Sequence, residues 1–263
     1  MDMLPPYRPF AWILLAAAVC FAVSYLLFAT GLNSSWMRAI HTDPYLPNWF
    51  WALVNLGGDG WIVLLFLLLL ESKPGQFTSW ILKTWLVGAC LVQIIKRLFP
   101  MPRPASVIGI ENLSLVDHPP LFSGSMPSGH ALAAISCALI ACLILRARGV
   151  SRWVIVCICS LAGLAGWARV AVGAHWPSDV FAGAGLAIVV VLSAYQWERF
   201  HSWNVWFTTK NGHRFLIFLN LAIALHLMFP QSDFSLIHFL QLSLACISLY
   251  KAFTLTKHSS LSQ

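Results

Sequence analysis

Eight stretches of this chain are apolar for long enough to cross a bilayer: about 10–30, 50–70, 78–98, 129–146, 153–172, 179–197, 214–230 and 235–254. Backbone polar groups in hydrocarbon must be satisfied within the protein, so runs of this length are expected as helices. Composition agrees, because 59% of the 263 residues are hydrophobic and only 10% are charged. That is too little charge to clothe a water-soluble globule of this size. The expected fold is an all-α, polytopic transmembrane helix bundle of eight spans. The first run starts at Phe10 and lacks a small-x-small cleavage site, so it is read as a retained anchor, not a signal peptide. Cys20, Cys90, Cys137, Cys142, Cys157, Cys159 and Cys246 all fall inside apolar runs without zinc-type spacing. They are expected as small core or lipid-facing residues, not as a disulfide framework.

The net charge of +7 is informative through its distribution. With the N-terminus inside, Arg8, Lys73, Lys83, Arg146, Arg148, Arg152, Arg199, Lys210, Arg214, Lys251 and Lys257 lie on the cytoplasmic side. Arg38, Lys96, Arg97, Arg103 and Arg169 remain outside, so eleven basic residues face five. This asymmetry predicts cytoplasmic termini, membrane lipids as the surroundings and no nucleic-acid partner. Cations left on the disfavoured side then call for a task.

No internal repeat or soluble domain is visible. The longest polar interruption is 99–127, with five prolines up to Pro120, read as a functional loop or else a disordered connector. Residues 198–213 are rich in Trp and Phe and are expected to lie at the headgroups, while Trp36, Trp49, Trp51 and Trp61 suit an aromatic belt. Asp59, in "NLGGDG", reads first as a helix cap or packing residue and second as an auxiliary contact to a site.

Three segments place ionisable residues at span ends. "KRLFPMPRP" holds Lys96 and Arg103, "PSGH" holds Ser128, Gly129 and His130, and "ARVAVGAHWPSD" holds Arg169, His175 and Asp179. Each alone has a bland reading, such as snorkelling, an interfacial histidine or a cap. Antiparallel threading, however, brings all of them to one membrane face, and by the charge rule to the outer one. Three cations suit a doubly charged phosphate and the charge of its transition state. The helix start at Ser128, Gly129 and His130 adds amide donors and a positive dipole end. His175 and Asp179 stand four apart, so the carboxylate can hold one ring nitrogen protonated and leave the other as a nucleophile. His130, from another helix, is then the acid for the leaving oxygen. One Asp is too few for a magnesium-centred phosphatase, and no metal or cofactor is expected.

Together these three pieces resemble the signature motifs of the type 2 phosphatidic acid phosphatase superfamily, in the same order across 96–179. The resemblance implies a six-helix membrane core within 1–213, an additional hairpin at 214–263, and a lipid phosphate as substrate. It implies His175 as the phosphate-accepting nucleophile, Asp179 as its orienting partner and His130 as general acid. Lys96, Arg103, Ser128, Gly129 and Arg169 would bind phosphate. Ala168 stands where the family often has Ser, which removes one hydroxyl contact. The expected reaction is metal-independent hydrolysis of a lipid phosphate monoester or diphosphate through a phosphohistidine, releasing inorganic phosphate. Undecaprenyl diphosphate, phosphatidylglycerol phosphate, phosphatidic acid and lipid A phosphates all fit an outward-facing site in a bacterial inner membrane. A lipid phosphotransferase using the same phosphohistidine, or a transporter of a phosphorylated solute, are the competing readings.

Overall fold

The computed structural model describes residues 10–261 apart from 43, 44, 74, 122, 123 and 231. Its order is α1 (Phe10–Ala29), α2 (Leu32–Thr42), α3 (Asn48–Leu56), α4 (Gly60–Leu69), α5 (Thr78–Leu98), α6 (Pro104–Ile108), a 3-10 turn (Ile110–Asn112), α7 (Gly129–Ala147), α8 (Arg152–Ala171), α9 (Pro177–Phe200), α10 (Asn204–Phe207), α11 (Lys210–Met228) and α12 (Ser235–Leu261). The protein is thus an all-helical membrane bundle. By length and composition, α1, α5, α7, α8, α9 and α12 can each cross a bilayer.

The expectation of eight continuous spans is corrected at two places. The run 50–70 is two helices, α3 and α4, bent by 55° at Gly57, Gly58 and Asp59. If the pair is counted as one broken span, the total is seven. The run at 214–230 falls mostly in α11, which is not among the helices long and apolar enough to cross a bilayer. Lys210, His213, Arg214, Asn220 and His226 dilute its apolar surface. The loop 99–127 is largely ordered: it carries α6 and the 3-10 turn, and Ser125 N–H donates to Met101 O at 3.0 Å.

α7 and α9 are central. Gly183 lets them touch, since a Cβ there would stand 2.5 Å from Ser128 O and 3.2 Å from Ala131 Cβ. A large apolar core joins α4, α5, α7, α9 and α11 through residues such as Leu65, Trp80, Ile140, Val191 and Ile223. α11 and α12 pair, with Ser248 Oγ donating to Asn220 O at 2.8 Å. Their connection reaches back to the 113–118 loop: Asp117 Oδ1 accepts from Ser232 Oγ at 2.9 Å and from Asp233 N at 3.1 Å.

Lys83, expected among the cytoplasmic cations, is fully buried and bonds Glu198 at 2.6 Å. The guanidinium-free, compact ammonium also donates to His201 O and stands 4.4 Å from the Trp203 ring centre. Glu198 further accepts from Ser79 Oγ and from Asn204 Nδ2. The segment 198–213 therefore does more than line the headgroups; Asn204 and Phe207 are buried in it, while Val205 stays exposed. Of the other expected cytoplasmic cations, Arg148 donates to Leu70 O and Lys251 to Leu68 O, whereas Arg8 lies outside the described residues. The seven cysteines are free, with Cys142 and Cys159 in contact at 3.7 Å. Removing one member of a buried ion pair strands the other charge. Lys83→Ala should therefore destabilise the detergent-solubilised protein by about 3–5 kcal/mol, and Lys83→Met with Glu198→Leu should recover most of that loss in thermal unfolding.

Candidate active site

The three polar segments meet at one end of the bundle. Lys96 lies in the last turn of α5, Arg103 caps α6, Ser128 caps α7, Arg169 lies in the last turn of α8, and Asp179 lies in the first turn of α9. His175 sits in the short α8–α9 connection. There Gly173 adopts φ +82°, where its missing Cβ would otherwise fall 2.4 Å from Leu115 Cδ2. This reversal lets the amides of Ala174 and His175 both donate to Arg169 O, at 3.0 and 3.1 Å. His175 is thereby folded back beside Arg169.

His175 is held on both ring edges. Nδ1 lies 3.3 Å from Asp179 Oδ2, and Nε2 lies 3.4 Å from Arg103 Nη1. A protonated Nδ1 donating to Asp179 leaves the Nε2 lone pair facing the Arg103 guanidinium. Burial, then the charges of Arg169, Arg103 and Lys96, push the His175 pKa well below the ordinary histidine value. These surroundings favour the neutral imidazole. Asp179 is equally constrained: it accepts from Trp176 N at 2.9 Å and from Ser125 Oγ.

Arg103 donates to Ala174 O at 2.7 Å and to Gly124 O at 3.1 Å, and it is buried. Arg169 donates through Nη1 to Asn55 Oδ1 at 2.7 Å, while its buried Nε has no hydrogen-bond partner among the described residues. Lys96 lies in the field of Arg103, Asp179 and Arg169, and its side chain passes Gly124. His130, half-buried in the first turn of α7, lies in the field of the Arg169, Lys96 and Arg103 cations. The eight expected residues are thus brought to one neighbourhood.

One detail differs from the sequence expectation. The Ser128 amide is taken by Asp179 O at 3.0 Å, and Ser128 Oγ accepts from Ala131 N, so that amide serves the α7–α9 junction. The first-turn amides of Gly129 and His130 remain the helix-start donors that an anion could use. Sequence reasoning missed Ser125 and Asn55. Ser125 is a hydroxyl two residues before Pro127 and could have been read with that motif. Asn55 opens the same "NLGGDG" in which attention falls on Asp59. Asp59 is the expected cap, accepting from Trp61 N at 2.9 Å and Ile62 N at 3.0 Å, with His226 Nε2 3.4 Å from its other oxygen.

A family model described as PAP2 superfamily matches residues 77–203, the segment that carries every one of the eight residues. That segment is PAP2-like in sequence. Aquifex aeolicus LpxE is similar at 27% identity and TM-score 0.52, over 63% of this chain and 95% of that one. A transmembrane PAP2 type phosphatidylglycerolphosphate phosphatase from Bacillus subtilis shares the fold at 16% identity and TM-score 0.51, over 73% of this chain and 98% of that one. Among curated proteins none matches the chain. The PAP2 match and these phosphatase neighbours support a phosphoric ester hydrolase, and the helices make it an integral membrane one.

The α7–α9 contact sets the distance between His130 and the PAP2 third motif. Gly183→Ala puts a methyl against the Ser128 carbonyl. Turnover should fall by about 100-fold, because misplacing a reacting group by about 1 Å has that cost. Phosphate release per folded molecule, measured beside thermal unfolding, checks it.

Proposed function

We propose that the protein hydrolyses a lipid phosphate monoester or diphosphate without a metal, through a phosphohistidine on His175. The observation that carries this reading is the placement of His175 between Asp179 and Arg103. Nε2 attacks phosphorus in line as the bond from phosphorus to the lipid oxygen breaks. His130 gives its proton to that oxygen, and the freed lipid alcohol or lipid phosphate departs. His130, now neutral, takes a proton from water; the water oxygen bonds phosphorus, the N–P bond breaks and inorganic phosphate leaves. Lys96, Arg103 and Arg169 hold the non-bridging oxygens throughout and oppose the charge that grows on them.

A lipid substrate is supported by the surroundings of the site. An apolar cavity of about 230 Å³ runs between α4, α5 and α7, bordered by Gly129 at one end and by Val92, Leu132, Gly88 and Leu67 along its walls. A hydrocarbon chain in that space would leave its headgroup beside the helix start that bears His130. The distribution of basic residues supports a site on the outer face with both termini in the cytoplasm, in a bacterial inner membrane. Undecaprenyl diphosphate, phosphatidylglycerol phosphate, phosphatidic acid and lipid A phosphates are the substrates to try first. The 214–263 hairpin is proposed as an addition to the phosphatase core.

Purified protein in detergent with EDTA, supplied with this panel, should release inorganic phosphate from at least one lipid. His175→Ala and His130→Ala should abolish release, a loss exceeding the roughly 10²–10³-fold typical of one transition-state contact. Turnover by His175→Ala near the wild-type rate would overturn the nucleophile assignment. Recovery of the phosphate on an acceptor lipid in place of water would identify a phosphotransferase.

A further inference from the structure

The sequence motifs single out Arg169 but not what holds its guanidinium. One edge of it is met by α3, which lies outside the PAP2 match. Asn55 Oδ1 accepts from Arg169 Nη1 at 2.7 Å, across 114 positions of chain. Arg169 is buried, its Nε is not bonded to any described residue, and its carbonyl holds the amides of Ala174 and His175. Whatever fixes this guanidinium also fixes donors aimed at the phosphate and stands one turn from the nucleophile.

Three residues beyond Asn55, the second span breaks. Gly57 and Gly58 donate to Val54 O and Asn55 O at 3.0 and 3.1 Å, closing α3, and the chain bends by 55° into α4. Gly58 then lies against the general-acid candidate: a Cβ there would stand 2.9 Å from His130 Cβ, 3.1 Å from His130 O and 3.2 Å from His130 Cδ2. The end of α3 thus touches two site residues from different motifs, one by a hydrogen bond and one by close packing.

We infer that Asn55 is a positioning residue for Arg169, and that the break at Gly57 and Gly58 exists to bring its amide and the bare Gly58 backbone to the site. The choice of an amide has a chemical reason. Asn55 fixes the fork through a neutral acceptor, so the full positive charge of Arg169 stays available to the phosphate. A carboxylate at the same place would make an ion pair and spend that charge on the protein. An apolar residue would leave Nη1 without an acceptor and free the guanidinium to turn.

This rests on the phosphate-transfer reading above, and the test separates the two. Full-length wild type, Asn55→Leu, Asn55→Asp and Gly58→Ala are purified in detergent and compared for kcat, KM, orthovanadate inhibition and thermal unfolding. Asn55→Leu should lose about 10- to 100-fold in kcat and in orthovanadate affinity, with KM changed much less, since anion held in transition-state geometry depends most on the aim of Arg169. Asn55→Asp keeps an acceptor of the same shape and should unfold near the wild-type temperature, yet show a similar loss of orthovanadate affinity. Gly58→Ala should lower kcat with orthovanadate affinity retained, because it displaces His130 and not Arg169. Wild-type orthovanadate affinity in Asn55→Asp or in folded Asn55→Leu would overturn the inference. The His175→Ala enzyme reads the chemistry independently: turnover there defeats the phosphohistidine assignment whatever the Asn55 variants do.

Discussion

The carboxylate of Asp179 is the constraint on which the site depends. It is almost wholly buried, in the first turn of a 24-residue helix, and a charge taken out of water costs several kcal/mol unless donors surround it. The donors come from three places: Trp176 N at the cap of its own helix, Ser125 Oγ from the loop before α7, and His175 Nδ1 from the α8–α9 connection. The α9 N-terminal dipole adds to them. Its backbone carbonyl meanwhile takes the Ser128 amide at 3.0 Å. One residue therefore joins His175, the start of α7 and the loop that also receives Arg103. Trp176 Nε1, donating to Pro102 O at 2.8 Å, closes the ring by tying the Arg103 segment to the same turn.

The bundle separates its polar groups into two ends with an apolar length between. α9 bears Asp179 at one end and Glu198 nineteen residues later, a rise of about 28 Å, close to the roughly 30 Å of a hydrocarbon core. α5 runs antiparallel to it, with Lys83 against Glu198 and Lys96 near the site. The ion pair ties the two helices at the end away from Lys96 and Asp179, and a fixed α5–α9 pair suits a preorganised anion site. The ion pair contributes less through net stability than through the alignment it enforces.

Much of this was legible in the chain. Apolar runs located most spans to within a few residues, because hydrocarbon burial is a local property of composition. The eight polar residues at span ends were legible because charge at a membrane is costly and threading alone gathers alternate ends. The remainder depends on partners distant in sequence. Lys83 looks like an ordinary inner-face cation until Glu198, 115 positions away, is set against it. Ser125 and Asn55 carry no pattern of their own; each acquires meaning from a single hydrogen bond to a motif residue. The run 50–70 is apolar throughout on average, which concealed the break, although the Gly-Gly-Asp-Gly within it was the local sign.

A helix broken inside a membrane must satisfy the backbone it frees. Here the repair is local. Gly57, Gly58 and Asp59 donate to Val54, Asn55 and Leu56 carbonyls, and the Asp59 side chain accepts the first amides of α4. The second oxygen of that acidic cap lies 3.4 Å from His226 Nε2 on α11. The C-terminal hairpin lies beyond the PAP2 match, yet it touches the cap of the bend through His226 and the 113–118 loop through Ser232 and Asp233. Ile237 of α12 also packs with Val116, Val172 and Ala174, beside the turn that carries His175. The hairpin therefore bears on the site from behind, through the two irregular segments that regular helix packing cannot hold by itself. A bundle whose candidate site sits on helix tips needs such support where the backbone is least repetitive, and α11 and α12 supply it there.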